Sequence, residues 1–255
     1  MIHLRRVVAA ACCLMVAAVI AACSTQSATR VNVAAAADLR YALDEIISIA
    51  AARNPSVDYA VTYGSSGQFL QQIDNGAPFD IYLSADVTYP QQLIARGKAS
   101  DPFVYAVGRL VLWVPEGSPI DPAQGLAALS QAQRIAIANP EHAPYGQAAV
   151  AALRAEGIYD SVAPRLVLGE NVAQAAEFVA SGNADAGIVA MSLVLSDPLR
   201  DVGTWWEIPA QLFPPLVQGG ALITDTPGTR ELRDVITSPE GIEILARYGF
   251  TLPEE

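Results

Sequence analysis

Beyond residue 30 the hydrophobic positions alternate between two spacings. Short apolar runs over residues 31–35, 57–63, 79–83, 135–138, 166–168 and 186–189 read as strands, the first of them buried. Between them apolar residues recur every three or four positions. Leu39, Leu43, Ile46, Ile47 and Ala50 form one such stripe, ended by Asn54-Pro55. Further helices are predicted around Phe69, Leu70 and Ile73, closed by Asn75-Gly76, and over 86–96, 147–156 and 173–180. Two more, over 230–236 and 241–248, close the chain. Regular strand–helix alternation predicts an α/β architecture with mostly parallel sheets. Two apolar strands, 110–114 and 221–224, stand apart from it, flanked by Gly, Glu and Pro. A chain that leaves one α/β lobe, builds a second and returns has two crossovers, and these strands are the expected hinges. One lobe is placed at 31–106 with 220–255, the other at 107–219.

At four joints a strand-like run stops at small or hydroxyl residues just before a helix. They are Ala35-Ala36-Ala37-Asp38, Gly64-Ser65-Ser66-Gly67, Ala143-Pro144-Tyr145-Gly146 and Glu170-Asn171-Val172. A helix start presents unpaired N–H groups and a partial positive charge, so several converging on one cleft would bind an oxyanion without Lys or Arg. At the first joint, Ala37 leaves room for close approach to the backbone. The Asp38 carboxylate would repel an anion, so it is expected to turn away and cap the helix. Ser66 is expected to donate through hydroxyl and backbone N–H, with capping by Ser65 and Ser66 as the alternative. Pro144 sets a helix entry that leaves the N–H groups of Tyr145 and Gly146 free, and Tyr145 adds a phenol. Asn171 is the expected cap of the last helix, with the Val172 N–H as donor. His142 reads as a loop histidine bonded to nearby backbone, and Glu141 as a solvated or capping group. The predicted ligand-facing set is Ala37, Asp38, Ser65, Ser66, Tyr145 and Val172.

The N-terminus adds a processing signal. Arg5 and Arg6 precede an apolar run over 7–22 that is too short and Ala-rich for a comfortable membrane span. It ends in Ile20-Ala21-Ala22-Cys23, similar to the bacterial lipobox, where the Cys is lipidated. Residues 1–22 are thus expected as a lipoprotein signal and 23–30 as a tether, with an ordinary signal peptide cleaved near Ala22 or an uncleaved anchor as alternatives. Losing Arg5 and Arg6 moves the formal charge from −11 to −13, and the mature chain keeps no thiol beyond Cys23. That leaves no disulfide framework and no cysteine metal site. With Lys98 the sole lysine and no basic cluster, nucleic acid is excluded as a partner.

In this order the segments resemble the molybdate-binding proteins of bacterial ABC importers, of the type II periplasmic-binding-protein family. The resemblance rests on residues 34–39, Tyr63-Gly64-Ser65-Ser66, residues 76–86 and residues 139–144, then on Gly187-Ile188-Val189 and residues 246–250. It implies a two-lobe fold closing on a tetrahedral oxyanion held by neutral donors. Ser66 falls at the family's second serine and the backbone donors at Tyr145 and Val172. Two positions depart: Ala37 and Asp38 stand where the first hydroxyl is expected, and Ala190 where some members carry a tyrosine, a phenol that Tyr145 could supply from the other side. The implied ligand is molybdate, with tungstate inseparable by size and charge. The implied partner is a permease, and the implied location the extracytoplasmic face of a membrane, reached through the lipid anchor only. No cofactor, no directly ligated cation and no catalytic residue is expected, and the chain is expected to be a monomer.

Three other readings compete. A different oxyanion or a small polar solute would use the same cleft. A secreted hydrolase would need a nucleophile with a base, yet His142 is the mature chain's one histidine and no Gly-x-Ser-x-Gly elbow occurs. An adhesive lipoprotein would leave the four helix starts without purpose.

Overall fold

A computed structural model describes residues 28–252 of the 255-residue chain; the leader, Cys23 and most of the tether lie outside the described residues. Two five-stranded sheets are each flanked by helices. In the first, β1 (Thr29–Ala36) runs parallel to β2 (Val57–Gly64) and to β3 (Ile81–Ser84). Beyond β3, β10 (Leu216–Leu222) and then β4 (Ser100–Gly108) complete the sheet, β10 running antiparallel to both neighbours. The second sheet has the order β7 (Leu166–Gly169), β6 (Ile135–Ala138), β8 (Ala186–Ala190), β5 (Leu110–Pro115) and β9 (Gly203–Glu207). Here β6 is parallel to β7 and β8, and β5 antiparallel to β8 and β9.

The period of two along β1 sorts its side chains between two cores. Val31, Val33 and Ala35 pack with Leu39, Leu43 and Ile46 from α1 (Arg40–Arg53), and with Leu232, Val235 and Ile244 from α8 (Pro227–Ile236) and α9 (Pro239–Arg247). Ala34 faces the other way, toward Phe69 and Ile73 of α2 (Ser66–Asp74) and Leu93 of α3 (Thr88–Ala95). The second sheet is covered by α4 (Pro144–Ala155) and α6 (Val172–Ala180), with the short α5 (Tyr159–Val162) and α7 (Met191–Val194) beside them. Its core takes in Ala36, Ala37 and Ala85 from the first lobe, so apolar packing continues through the cleft.

Both crossings differ from the expected positions. The apolar run over 104–114 is two strands in two sheets, with Arg109 at the switch and its guanidinium paired with Glu207. On the return, β10 is already in the first sheet at Leu216, ahead of the expected 221–224 strand and the 219/220 division. Strands β4 and β9 were not anticipated, and both lie at sheet edges. An edge strand is paired on one side and part-exposed, which blurs the alternation that marks a strand. Ser100-Asp101-Pro102 and the adjacent Trp205-Trp206 are of this kind. A kinked 3₁₀ segment, Pro122–Gln131, was also unforeseen.

Candidate functional site

The four joints meet in one small cavity between the lobes. Ala37, Asp38, Ser65, Ser66, Tyr145 and Val172 all line it. A larger groove near Val87, Ala148 and Leu216 is open and mainly apolar.

Each lobe brings donors. Among the described residues the first-turn backbone N–H groups of Ser66, Tyr145 and Val172 have no acceptor in the loops or turns, whereas the parallel β1–β2 register turns the Ala37 N–H toward the Gly64 carbonyl. Their helices leave these first-turn groups unsatisfied for the general reason that no preceding turn supplies a carbonyl. The Ser66 side chain is held at two points. Its Oγ accepts from the Ala85 N–H at 3.0 Å, and its backbone carbonyl accepts from the Tyr82 hydroxyl at 2.6 Å. Because the Ala85 bond uses a lone pair, the hydroxyl hydrogen of Ser66 is left to donate. In the second lobe Asn171 caps α6 as expected, accepting from Ala173 and Gln174 at 3.0 and 3.1 Å.

The cleft is latched beside the cavity. The His142 carbonyl accepts from the Ser65 hydroxyl at 2.6 Å and from the Gly67 N–H at 2.8 Å. With the Ser65 hydrogen committed to that carbonyl, its Oγ accepts from His142 Nδ1 at 2.8 Å. Donor counting therefore puts the ring proton on Nδ1, which leaves Nε2 to accept from Gln68 at 3.4 Å. Gln68 also donates to Glu170 Oε2 at 2.9 Å. The serine expected to cap α2 or bind ligand thus joins the lobes, and the His142 ring and carbonyl bond across the cleft while its N–H stays with the Asn139 carbonyl of its own loop.

Asp38 departs furthest from expectation. It does not cap a helix. It is 1% exposed and lines the cavity, with Oδ2 accepting from Gln218 Nε2 at 2.6 Å. Gln218 also donates to the Tyr145 hydroxyl at 3.3 Å, and that phenol lies within hydrogen-bonding reach of Asp38. Burial pushes the Asp38 carboxyl up from 3.8 to about 6, against the opposing bonds from Gln218 and Tyr145. Burial and the nearby Asp38 raise the Tyr145 phenol well above its ordinary value, so it stays neutral. The trio joins the 3₁₀ turn after β1, strand β10 and the start of α4. Gly108 makes room for it, because a Cβ there would lie 2.2 Å from the Tyr145 hydroxyl.

Two further expectations change. The Gly146 N–H is taken by the Ala143 carbonyl at 2.9 Å, which removes one expected donor. Ala190 is fully buried at the end of β8, and the phenol at the cleft comes from Tyr145 in α4. Sequence reasoning missed Gln218, whose one signal was a polar residue inside an otherwise apolar strand, and the Ser65–His142 contact, which had no local signal.

The family of bacterial extracellular solute-binding proteins matches over residues 31–251. The molybdate-binding protein ModA of Azotobacter vinelandii is 36% identical over 236 residues, covering 91% of this chain and 93% of that protein. ModA of Rhodobacter capsulatus is 38% identical over 199 residues, or 75% and 77% of the two chains. The solved periplasmic molybdate-binding protein of A. vinelandii superposes with a TM-score of 0.80 at 30% identity, over 88% of this chain and 100% of the other. At 12% identity, the sulfate-binding protein SubI of Mycobacterium tuberculosis shares the fold, with a TM-score of 0.69. The chain is a solute-binding protein and not an enzyme: it belongs to the bacterial extracellular solute-binding family, in the group that holds the molybdate-binding proteins of ABC importers.

Proposed function

We propose that this protein captures molybdate, and tungstate as well, in the cavity between its lobes and hands it to the permease of an ABC importer. The observation that carries the reading is the set of first-turn N–H groups at three helix starts, Ser66 in one lobe and Tyr145 and Val172 in the other, around one cavity whose lining has no cationic side chain. Neutral donors fixed by the backbone suit a tetrahedral dianion, because they exchange its hydration shell for N–H dipoles already in position. The relatives at 36% and 38% identity are named for molybdate, which supports the same ligand. Ser66, Tyr145 and Val172 are the donors assigned to the ion. Contacts to both lobes exist only in the closed form, so the ion shifts the population toward closure. The lipobox-like Ile20-Ala21-Ala22-Cys23 supports a lipid anchor on Cys23 that holds the protein outside the membrane.

Calorimetric titration of the mature, unlipidated chain with molybdate, tungstate, sulfate and phosphate tests this. Tight binding of the first two with silence from the others is expected. Silence for all four would reject an oxyanion as the ligand.

A further inference from the structure

The cavity contains one group at odds with an anionic ligand. Asp38 lines the cavity, and its Oδ1 is buried and has no hydrogen-bond partner among the described residues. We propose that one proton enters with the oxyanion and sits between Asp38 Oδ1 and a ligand oxygen, so that the carboxyl acts as a donor and binding consumes a proton. The inference rests on the oxyanion reading above and extends it.

Among the described residues no cation faces that oxygen. From β10 comes the Gln218 amide, from α4 the Tyr145 phenol, and from β4 the Tyr105 phenol, which donates to the Ser84 carbonyl. From α7, Ser192 donates to the Asp38 backbone carbonyl. The helix α6 presents Val172, which does not titrate. Among the described residues no Lys, Arg or His makes an ion pair or hydrogen bond with the Asp38 carboxyl. Arg40, the cation nearest in sequence, lies over the Tyr63 ring with its guanidinium carbon 5.4 Å from the centroid.

An ionised carboxylate and a dianion in contact within a dry cavity repel strongly, and protonation removes the repulsion while creating a hydrogen bond. Burial already moves Asp38 in this direction, to about 6, and a bound dianion moves it further. The balance is simple. A carboxylate, a solvent proton and an aprotic dianion become a carboxylic acid donating to that dianion, with no covalent bond to the ligand changed. Asp38 therefore makes an aprotic dianion bind together with a proton.

Titration with molybdate across a range where the ion stays a dianion, about pH 6.5 to 9, in two buffers of contrasting ionisation enthalpy, tests the proposal. Uptake of about one proton per ion at the alkaline end is expected, with affinity falling about tenfold per pH unit there. Asp38→Asn should bind with no proton uptake and a flat pH profile. Molybdate binding that is independent of pH, without proton uptake by the wild-type chain, overturns the proposal and leaves the oxyanion reading standing. Absence of molybdate binding at every pH overturns both.

Discussion

The Gly67 N–H of the first lobe donates to the His142 carbonyl of the second at 2.8 Å, and no side chain could stand between them. A Cβ on Gly67 would lie 2.5 Å from that oxygen and 3.0 Å from the His142 Cα, both backbone atoms without freedom to move aside. This backbone-to-backbone approach of the lobes therefore depends on a missing methyl group.

Gly67→Ala is expected to hold the cleft ajar while leaving each lobe folded. Oxyanion affinity should fall at least tenfold, about 1.4 kcal/mol, with thermal unfolding of the unliganded protein little changed. Small-angle scattering should lose the ligand-dependent compaction of the wild type. A variant that closes and binds normally would show that the lobes tolerate a wider latch.

Ser66→Ala removes the hydroxyl donor and also orphans the buried Ala85 N–H, which has the Ser66 Oγ as acceptor. Affinity is expected to fall at least tenfold, and an unsatisfied buried N–H costs roughly 1–3 kcal/mol of stability. Calorimetry and urea unfolding separate the two effects. Unchanged affinity would take Ser66 out of the binding site.

His142→Ala keeps the backbone carbonyl that latches the lobes and deletes only the ring contacts to Ser65 and Gln68. A loss of affinity within about thirtyfold is expected, because two such neutral bonds together contribute about 2 kcal/mol. Complete loss of binding would mean that the ring orders the loop itself.

Asp38 makes stability depend on pH in an unusual sense for a carboxyl. Its folded value, about 6, lies above its ordinary 3.8, so the folded protein holds the proton more tightly than the unfolded chain. Its contribution is complete below about pH 3.8 and is lost as pH rises toward about 6, roughly 3 kcal/mol in all. Asp38→Asn cannot titrate there. Relative to wild type it should gain stability progressively across that window, measured by urea unfolding of the unliganded proteins. A constant difference between the two proteins from about pH 4 to about pH 8 would show that the carboxyl titrates normally.

Strand–helix alternation was readable because its period is local, and eight of the strands lie in or overlap the predicted runs, with β4 and β9 hidden at the edges. The helix starts were equally local: Pro144, Asn171 and the Gly64-Ser65-Ser66 joint carry their signals within a few residues, and the cavity brings all of them together. The roles within that cavity were another matter. Ser65 looks the same in sequence whether it caps α2 or bonds His142 across 77 positions, and Asp38 whether it caps a helix or meets Gln218 across 180. The sequence by itself determined the α/β class and where backbone donors would be exposed, since both follow from patterns within one turn or strand. Only the tertiary structure decided which side chains join the lobes and which carboxyl oxygen is buried without a partner, because those choices depend on contacts between residues that the chain keeps far apart.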